Sequence, residues 1–186
     1  MGWDAEGVEI DQNAAQISRK RGFSVHANIG GLPAATFDAV SLLHVIEHEP
    51  DPRRLLGEIF RVLTPGGRIV IVTPNTRGLG HRLFRGSWFG LEPPRHLMIF
   101  DRNSLRRMVR ESGFVIEKSV TSIRNAGGVF ALSRGIAATG VISPASPGNG
   151  LARIAWRSVE YVEWALKAVD REAGEEIVLV GRRPTR

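Results

Sequence analysis

The chain has 186 residues, a formal net charge of +6 and no cysteine. This length suits one domain with a real hydrophobic core, and the lack of cysteine excludes disulfide frameworks and thiolate metal sites. The first residues lack the basic and apolar regions of a signal peptide, so we expect a cytoplasmic protein. Arginines between 102 and 110 follow helical spacing among acidic residues, which favours a solvated helix face over a nucleic-acid patch.

Strands and helices alternate through the first 75 residues. The hydrophobic pattern predicts strands at 7–10, 23–27, 37–46 and 68–73, with helices at 13–21 and 52–63. This alternation is typical of a parallel, doubly wound α/β sheet. The strand at 37–46 is apolar almost throughout, which predicts burial on both of its faces. Asp51 and Pro52 suit the N-cap and first turn of the helix that follows.

The second half begins with a glycine-rich and aromatic segment at 77–94. Long irregular segments inside a domain are usually functional, so this one is predicted to be a lid. The pattern then predicts a helix at 101–112 and a strand at 114–120, followed by a helix at 151–172 and a strand at 176–180. The segment 126–150 is small and apolar, but glycines and Arg134 interrupt it, so no membrane-spanning helix is expected. We predict one domain, with a cofactor-side core at 7–75 and a lid and substrate-side half at 76–186.

Polar residues collect where two of the predicted strands end. Glu9 lies near the end of the first strand, and His44 and Glu47 close the third. Ligands of open α/β sheets bind at the carboxyl ends of parallel strands. The layout therefore predicts a small-molecule site at this edge of the sheet.

Five segments follow one another in a distinctive order and spacing. They read GVEID at 7–11, LP at 32–33, FDAVSLLHVIEH at 37–48, LLGEIFRVLTPGGRIVIVTPN at 55–75 and PRHLMIFDRNSLRRMVRESGF at 94–114. Together they resemble the class I S-adenosylmethionine-dependent methyltransferases. The resemblance implies a Rossmann-like, mostly parallel sheet of seven strands with an antiparallel last strand, and it implies S-adenosylmethionine as the cofactor.

The resemblance also implies which residues hold this cofactor. Glu9 occupies the position of a carboxylate that accepts hydrogen bonds from both ribose hydroxyls, and its two oxygens suit a vicinal diol. Ile10 is implied to pack on the adenine face. Asn28 stands where the family carries an acid that accepts from the adenine amino group, and Ile29 would offer its backbone N–H to the ring. His44 matches a position whose backbone approaches the methionine part.

Three residues in or beside the lid are predicted to contact the acceptor substrate: Trp88, Arg95 and His96. The resemblance puts the last two near the mouth of the site, and a histidine there is suited to proton transfer. Two structural alternatives stay open. Trp88 is equally suited to the core of the lid, and His96 to anchoring the lid to the next helix.

No metal site and no catalytic residue are predicted. Glu47, His48 and Glu49 are adjacent on one short turn, and neighbours of this kind do not form a converging ligand set. In methyl transfer the cofactor carries the reactivity, and the protein mainly orients the two partners. A general base is needed only where the acceptor must lose a proton, and nothing in the sequence identifies one.

The chain departs from the family pattern ahead of Gly7. The family's first strand and glycine-rich cofactor loop belong there, and that strand lies in the middle of the sheet, between those predicted at 7–10 and 37–46. We therefore expect an N-terminally truncated fold with two rows of unpaired backbone groups, each costing about 1–3 kcal/mol if buried. A homo-oligomer or swapped dimer is expected to fill the vacant central position.

Three functional hypotheses follow from these observations. The first is S-adenosylmethionine-dependent methyl transfer to a small-molecule or lipid-linked acceptor, with the apolar segment 126–150 favouring an apolar acceptor. The second is a non-catalytic methyltransferase-like fragment or subunit, which the missing glycine-rich loop favours. The third is an NAD-linked oxidoreductase, because an acid at the end of a strand also binds the NAD ribose.

Overall fold

The computed structural model describes residues 2, 4–142, 164–165 and 169–185. Within this part of the chain, six strands form two sheets. The strands are β1 (Glu6–Val8), β2 (Ser24–His26), β3 (Phe37–Leu43), β4 (Leu63–Pro74), β5 (Val115–Ser122) and β6 (Glu176–Arg182). The α-helices are α1 (Gln12–Lys20), α2 (Pro52–Val62), α3 (Leu79–Phe84), α4 (Arg102–Glu111) and α5 (Ala126–Thr139).

The pairing of the strands confirms the predicted α/β architecture. Strands β1 and β2 form a parallel two-stranded sheet, and the second sheet has the order β3-β4-β6-β5. Strands β3 and β4 are parallel, whereas β6 runs antiparallel to both β4 and β5, as expected for the last strand. Among the described residues, β1 and β3 each have a ladder partner on one side only.

The expectation that the third strand is buried on both faces is wrong. Within β3 only Leu42 is buried, and Leu43 is 59% exposed. The physical reason is position, because β3 is the edge strand of its sheet. The inner strand β4 has the burial that was expected of β3, with Leu63, Ile69 and Ile71 fully enclosed.

The hydrophobic core combines residues of the four-stranded sheet with residues of α2 and α4. Buried positions recur every three or four residues on both helices, as a helix packed by one face requires. The core residues are Leu42, Ile46, Leu56, Ile59, Leu63, Ile69, Ile71, Phe100, Leu105, Val109, Phe114, Ile177 and Leu179. This packing holds the ends of β3, β4 and β6 in fixed relative positions.

Both core helices begin at an aspartate cap. Asp51 caps α2 as predicted, since its Oδ1 accepts the Arg54 N–H at 3.0 Å. Asp101 caps α4 through a reciprocal pair of bonds with Ser104, a capping box. These caps satisfy backbone donors that have no partner inside a helix.

The segment 77–94 is more regular than the predicted lid. It contains α3 and two 3-10 turns, Arg85–Ser87 and Phe89–Leu91. The rings of Phe84 and Phe130 meet edge to face at 5.4 Å, which packs this segment against α5. An aromatic-rich sequence therefore provides a packed layer here rather than an irregular loop.

The structure describes only part of two segments of the C-terminal half, the apolar segment 126–150 and the helix predicted at 151–172. Helix α5 forms the first part of the apolar segment, and 143–150 lie outside the described residues. Of the helix predicted at 151–172, most residues also lie outside the described part of the chain. None of the described helices is long and apolar enough to cross a membrane.

Candidate functional site

Glu9 directly follows the last residue of β1. Its backbone N–H donates to the His26 carbonyl at 3.0 Å, which keeps the ends of β1 and β2 together. One carboxylate oxygen, Oε1, accepts the Asp11 N–H at 2.9 Å. Among the described residues the other oxygen has no hydrogen-bond partner, and the residue is half-exposed. Glu9 therefore has acceptor capacity available at the carboxyl end of a parallel strand.

Asn28 and Ile29 follow the end of β2. The Asn28 side-chain oxygen accepts the Gly31 N–H at 3.0 Å and so caps the short 3-10 turn Ile29–Gly31. An amide oxygen has two lone pairs, so this bond leaves one acceptor position. The side chain of Ile29 packs against the core, and Arg61 Nη2 donates to its carbonyl at 3.1 Å.

Glu9, Ile10, Asn28 and Ile29 fit the adenosine half of S-adenosylmethionine. They follow two adjacent parallel strands and therefore lie at one edge of the small sheet. Ile10 is 85% exposed and offers an uncovered apolar surface beside the Glu9 carboxylate. The Ile10 side chain could pack on the aromatic base of a nucleoside, and the available oxygen of Glu9 could accept a hydrogen bond from its diol.

His44 ends β3 in an uncommon backbone conformation. Its φ is +53°, and its N–H still donates to the Val72 carbonyl at 2.9 Å. Its imidazole lies between two carboxylates, with Nδ1 3.2 Å from Glu47 Oε1 and Nε2 3.2 Å from Glu176 Oε1. The hydrogen bonds with Glu176 and then Glu47 raise the pKa of His44 to about 10. The resemblance assigned only the backbone of His44, and the structure adds a cationic side chain.

Glu47 contacts His44, and no role for its side chain was assigned from the sequence. It is 1% exposed, and its Oε2 accepts the Thr73 hydroxyl at 3.0 Å. Burial by itself raises the pKa of this carboxyl, but the bond from His44, a backbone bond and the bond from Thr73 bring the pKa below its ordinary value. Glu47 is therefore a buried carboxylate at the point where β3 and β4 end. The polar run at the end of an apolar strand was the only sequence signal for it.

The three residues predicted to contact the substrate lie in different environments. Trp88 is 2% exposed, and its Nε1 donates to Glu175 Oε2 at 2.9 Å, which favours the lid-core alternative. Arg95 is exposed and forms an ion pair with Glu92. His96 is almost fully buried, and its ring lies against that of His48 with the centroids 4.7 Å apart.

Comparison with known proteins identifies a relative of similar sequence. Residues 1–119 match a family model described as a methyltransferase domain. A probable S-adenosylmethionine-dependent methyltransferase of Mycolicibacterium smegmatis (strain ATCC 700084 / mc(2)155) is 31% identical over 126 residues, which cover 65% of this chain and 47% of the relative. The chain thus spans about half the length of that curated relative.

Two solved structures share the fold. A SAM-dependent methyltransferase of Thermotoga maritima superposes with a TM-score of 0.62 at 21% identity, over 97% of this chain and 73% of the other. The [4+2]-cyclase SpnF superposes with a TM-score of 0.58 at 22% identity, over 97% of this chain and 66% of the other. At these identities the likeness concerns the fold alone.

The family match covers well over half of the 186 residues, and it includes β1 to β4 together with Glu9, Asn28 and His44. It decides against the nicotinamide-linked alternative, because a methyltransferase domain is defined by a different cofactor. The chain therefore belongs to the methyltransferase domain family and has the fold of the class I S-adenosylmethionine-dependent methyltransferases.

Proposed function

We propose that this protein transfers a methyl group from S-adenosylmethionine to a small-molecule or lipid-linked acceptor. The observation that carries the proposal is the half-exposed Glu9 carboxylate at the end of β1, with acceptor capacity available. When bound, S-adenosylmethionine supplies an electrophilic methyl group on a sulfonium, so the task of the protein is to bind and orient.

Glu9 would accept hydrogen bonds from the ribose hydroxyls, and Ile10 would cover a face of the adenine. Asn28 has one acceptor position beyond its bond to Gly31, which suits the adenine amino group. Each of these contacts is made to a group that adenosine presents.

Binding of S-adenosylhomocysteine, followed by isothermal titration calorimetry, tests the cofactor site. We expect Glu9→Gln to weaken binding by about tenfold or more, because a hydrogen bond to a charged group contributes about 1.5–3 kcal/mol. The matched control is Glu6→Gln, an acid on the same strand that pairs with His26 instead. No binding by the unaltered protein at millimolar ligand, or equal binding by Glu9→Gln, would contradict the proposal.

The acceptor is proposed to have an apolar part. Helix α5 buries Ala126 and Phe130, and beyond its end Val141 and Ile142 are 60% and 49% exposed. Val141 and Ile142 thus form an exposed apolar surface just beyond α5. This surface supports an acceptor with a hydrocarbon portion.

Transfer of a labelled methyl group distinguishes the two acceptor classes. The protein would be incubated with methyl-labelled S-adenosylmethionine and either a total lipid extract or a water-soluble metabolite extract. We expect label in the chloroform-soluble products of the lipid extract. Label confined to water-soluble products would support a small polar acceptor and refute the apolar one.

We further propose that a second copy of the chain pairs along the open edge of β3. Within the described residues β3 pairs only with β4, and the exposed Leu43 and Val45 lie at its end. An unpaired strand edge is a template for another strand. Size-exclusion chromatography with light scattering should give the mass of two chains. A strictly monomeric mass at every concentration would contradict this proposal.

A further inference from the structure

Glu47, His48 and His96 each bring one potential ligand atom to a common point. These atoms all lie within 4.8 Å of one another. The two segments are joined by their backbones, because the N–H groups of Leu97 and Met98 both donate to the Glu47 carbonyl, at 2.9 and 3.2 Å. The cluster is therefore a fixed feature of the fold and does not depend on two flexible side chains meeting.

The tautomers of both histidines are set by backbone carbonyls. His48 Nδ1 lies 2.8 Å from the Arg95 carbonyl oxygen, and His96 Nδ1 lies 2.7 Å from the Gly90 carbonyl oxygen. A carbonyl only accepts, so each Nδ1 carries a proton, and in the neutral ring the lone pair is then on Nε2. Histidines that ligate metals are oriented in the same way, by a bond from the other ring nitrogen to a carbonyl or carboxylate.

The candidate ligand atoms at this point are acceptors, and the Glu47 carboxylate keeps lone pairs available beyond its contacts with His44 Nδ1 at 3.2 Å and with the Thr73 hydroxyl at 3.0 Å. Glu47 is 1% exposed and contributes a carboxylate, and Glu92 Oε2 stands 3.5 Å from His96 Nε2. The His96 side chain is only 6% exposed, so water cannot readily solvate its lone pair. Several acceptors that converge in a buried place are stabilised by a cation between them.

We propose that Glu47, His48 and His96 bind a divalent transition-metal ion, and the ligand chemistry selects Zn²⁺. Two imidazoles and one carboxylate form a three-ligand set with a fourth position open. Tetrahedral zinc with bonds of about 2 Å places its ligands roughly 3.4 Å apart, so binding draws this cluster together. His48 is half-exposed and has room for that movement.

The sequence argument against a metal considered only the adjacent residues Glu47, His48 and Glu49. It did not include His96, which lies in the segment before α4 and contributes the third ligand atom of the cluster. A bound ion would join that segment to the 3-10 turn after β3, which adjoins the ends of β3 and β4.

Metal binding to tag-free protein, stripped with a chelator and dialysed, tests this site. Co²⁺ is titrated as a visible-absorbing probe, and Zn²⁺ is then titrated calorimetrically. We expect one ion per chain, with binding weakened about tenfold or more in both His48→Ala and His96→Ala. The control is His26→Ala, because His26 is an exposed histidine paired with Glu6 outside the cluster.

Two results would overturn the proposal. The first is no binding of either ion up to about 100 µM, a concentration well above the dissociation constants of structural zinc sites. The second is unchanged affinity in His48→Ala, whose half-exposed side chain is the safer one to remove. Circular dichroism checks folding, and His96→Gln replaces His96→Ala if the latter unfolds. The readout needs no S-adenosylmethionine, so its failure is distinguishable from failure of the proposed methyl transfer.

Discussion

At the scale of single residues, the carboxyl group of Glu175 is enclosed by residues from distant parts of the chain. Glu175 is 1% exposed, and it accepts the Trp88 indole N–H at 2.9 Å and the Gly80 N–H at 2.5 Å. A Cβ atom at Gly80 would lie 2.5 Å from Glu175 Oε2, so this close approach needs glycine. Trp88, which was predicted to contact substrate, thus donates a hydrogen bond to a carboxyl group buried inside the protein.

Trp88→Phe should lower the free energy of unfolding by about 1–3 kcal/mol, because it removes a donor from a buried acceptor. Urea denaturation followed by circular dichroism measures the change. The double variant Trp88→Phe/Glu175→Gln should lose less than the sum of the two single variants. Strict additivity would show that the indole and the carboxylate do not interact.

Residue chemistry also explains which candidate site residues could be named from the sequence. Glu9 follows a short strand in a local motif, so its position could be predicted without distant contacts. Glu47 and His96 are brought together only by packing, because the backbone N–H groups of Leu97 and Met98 donate to the Glu47 carbonyl. Spacing along the chain gives no measure of that approach.

At the scale of elements, α4 shows how a local signal fixes a helix. The Ser104 N–H donates to Asp101 Oδ1 at 2.6 Å, and the Asp101 N–H donates back to Ser104 Oγ at 3.0 Å. The backbone bond from Ser104, followed by the bond from its side chain, holds the pKa of Asp101 below its ordinary value, although partial burial opposes this. The carboxylate form is therefore the one that stabilises the folded state.

Asp101→Ala should lower the free energy of unfolding by about 1 kcal/mol at pH 7. Because the folded-state pKa is lowered, this contribution is complete above the unfolded pKa and is lost as the pH falls through the folded value. Urea titrations at several pH values should show the two proteins converging below about pH 4. The control is Asp4→Ala, at an exposed position. A difference that does not depend on pH would contradict the role of the carboxylate.

At the scale of the whole molecule, the described strands form two separate sheets with open edges on β1 and β3. The His44 N–H donates to Val72 in β4, so by alternation the N–H of Leu42 also points to β4. The N–H groups of Ser41 and Leu43 then point away from it. As far as the described residues show, the edge of β3 therefore presents an unpaired N–H group at every second residue.

Hydrogen exchange followed by NMR should resolve this alternation. In dilute protein we expect Leu42 to exchange slowly and Ser41 and Leu43 quickly, because only Leu42 donates within a ladder. If a second copy pairs along this edge, Ser41 and Leu43 should become protected as the concentration rises. Equal protection of all three amides in dilute protein would contradict an open edge.

The sequence by itself determined the alternation of strands and helices, the aspartate caps and the family motif around Glu9. These depend on residues close together in the chain, whose periodicity and capping chemistry act locally. Only the tertiary structure decided that most side chains of β3 are not buried, that Trp88 donates to Glu175, and that His96 meets His48 beside Glu47. Burial and pairing depend on what packs from distant parts of the chain, and no local pattern encodes which distant residue arrives.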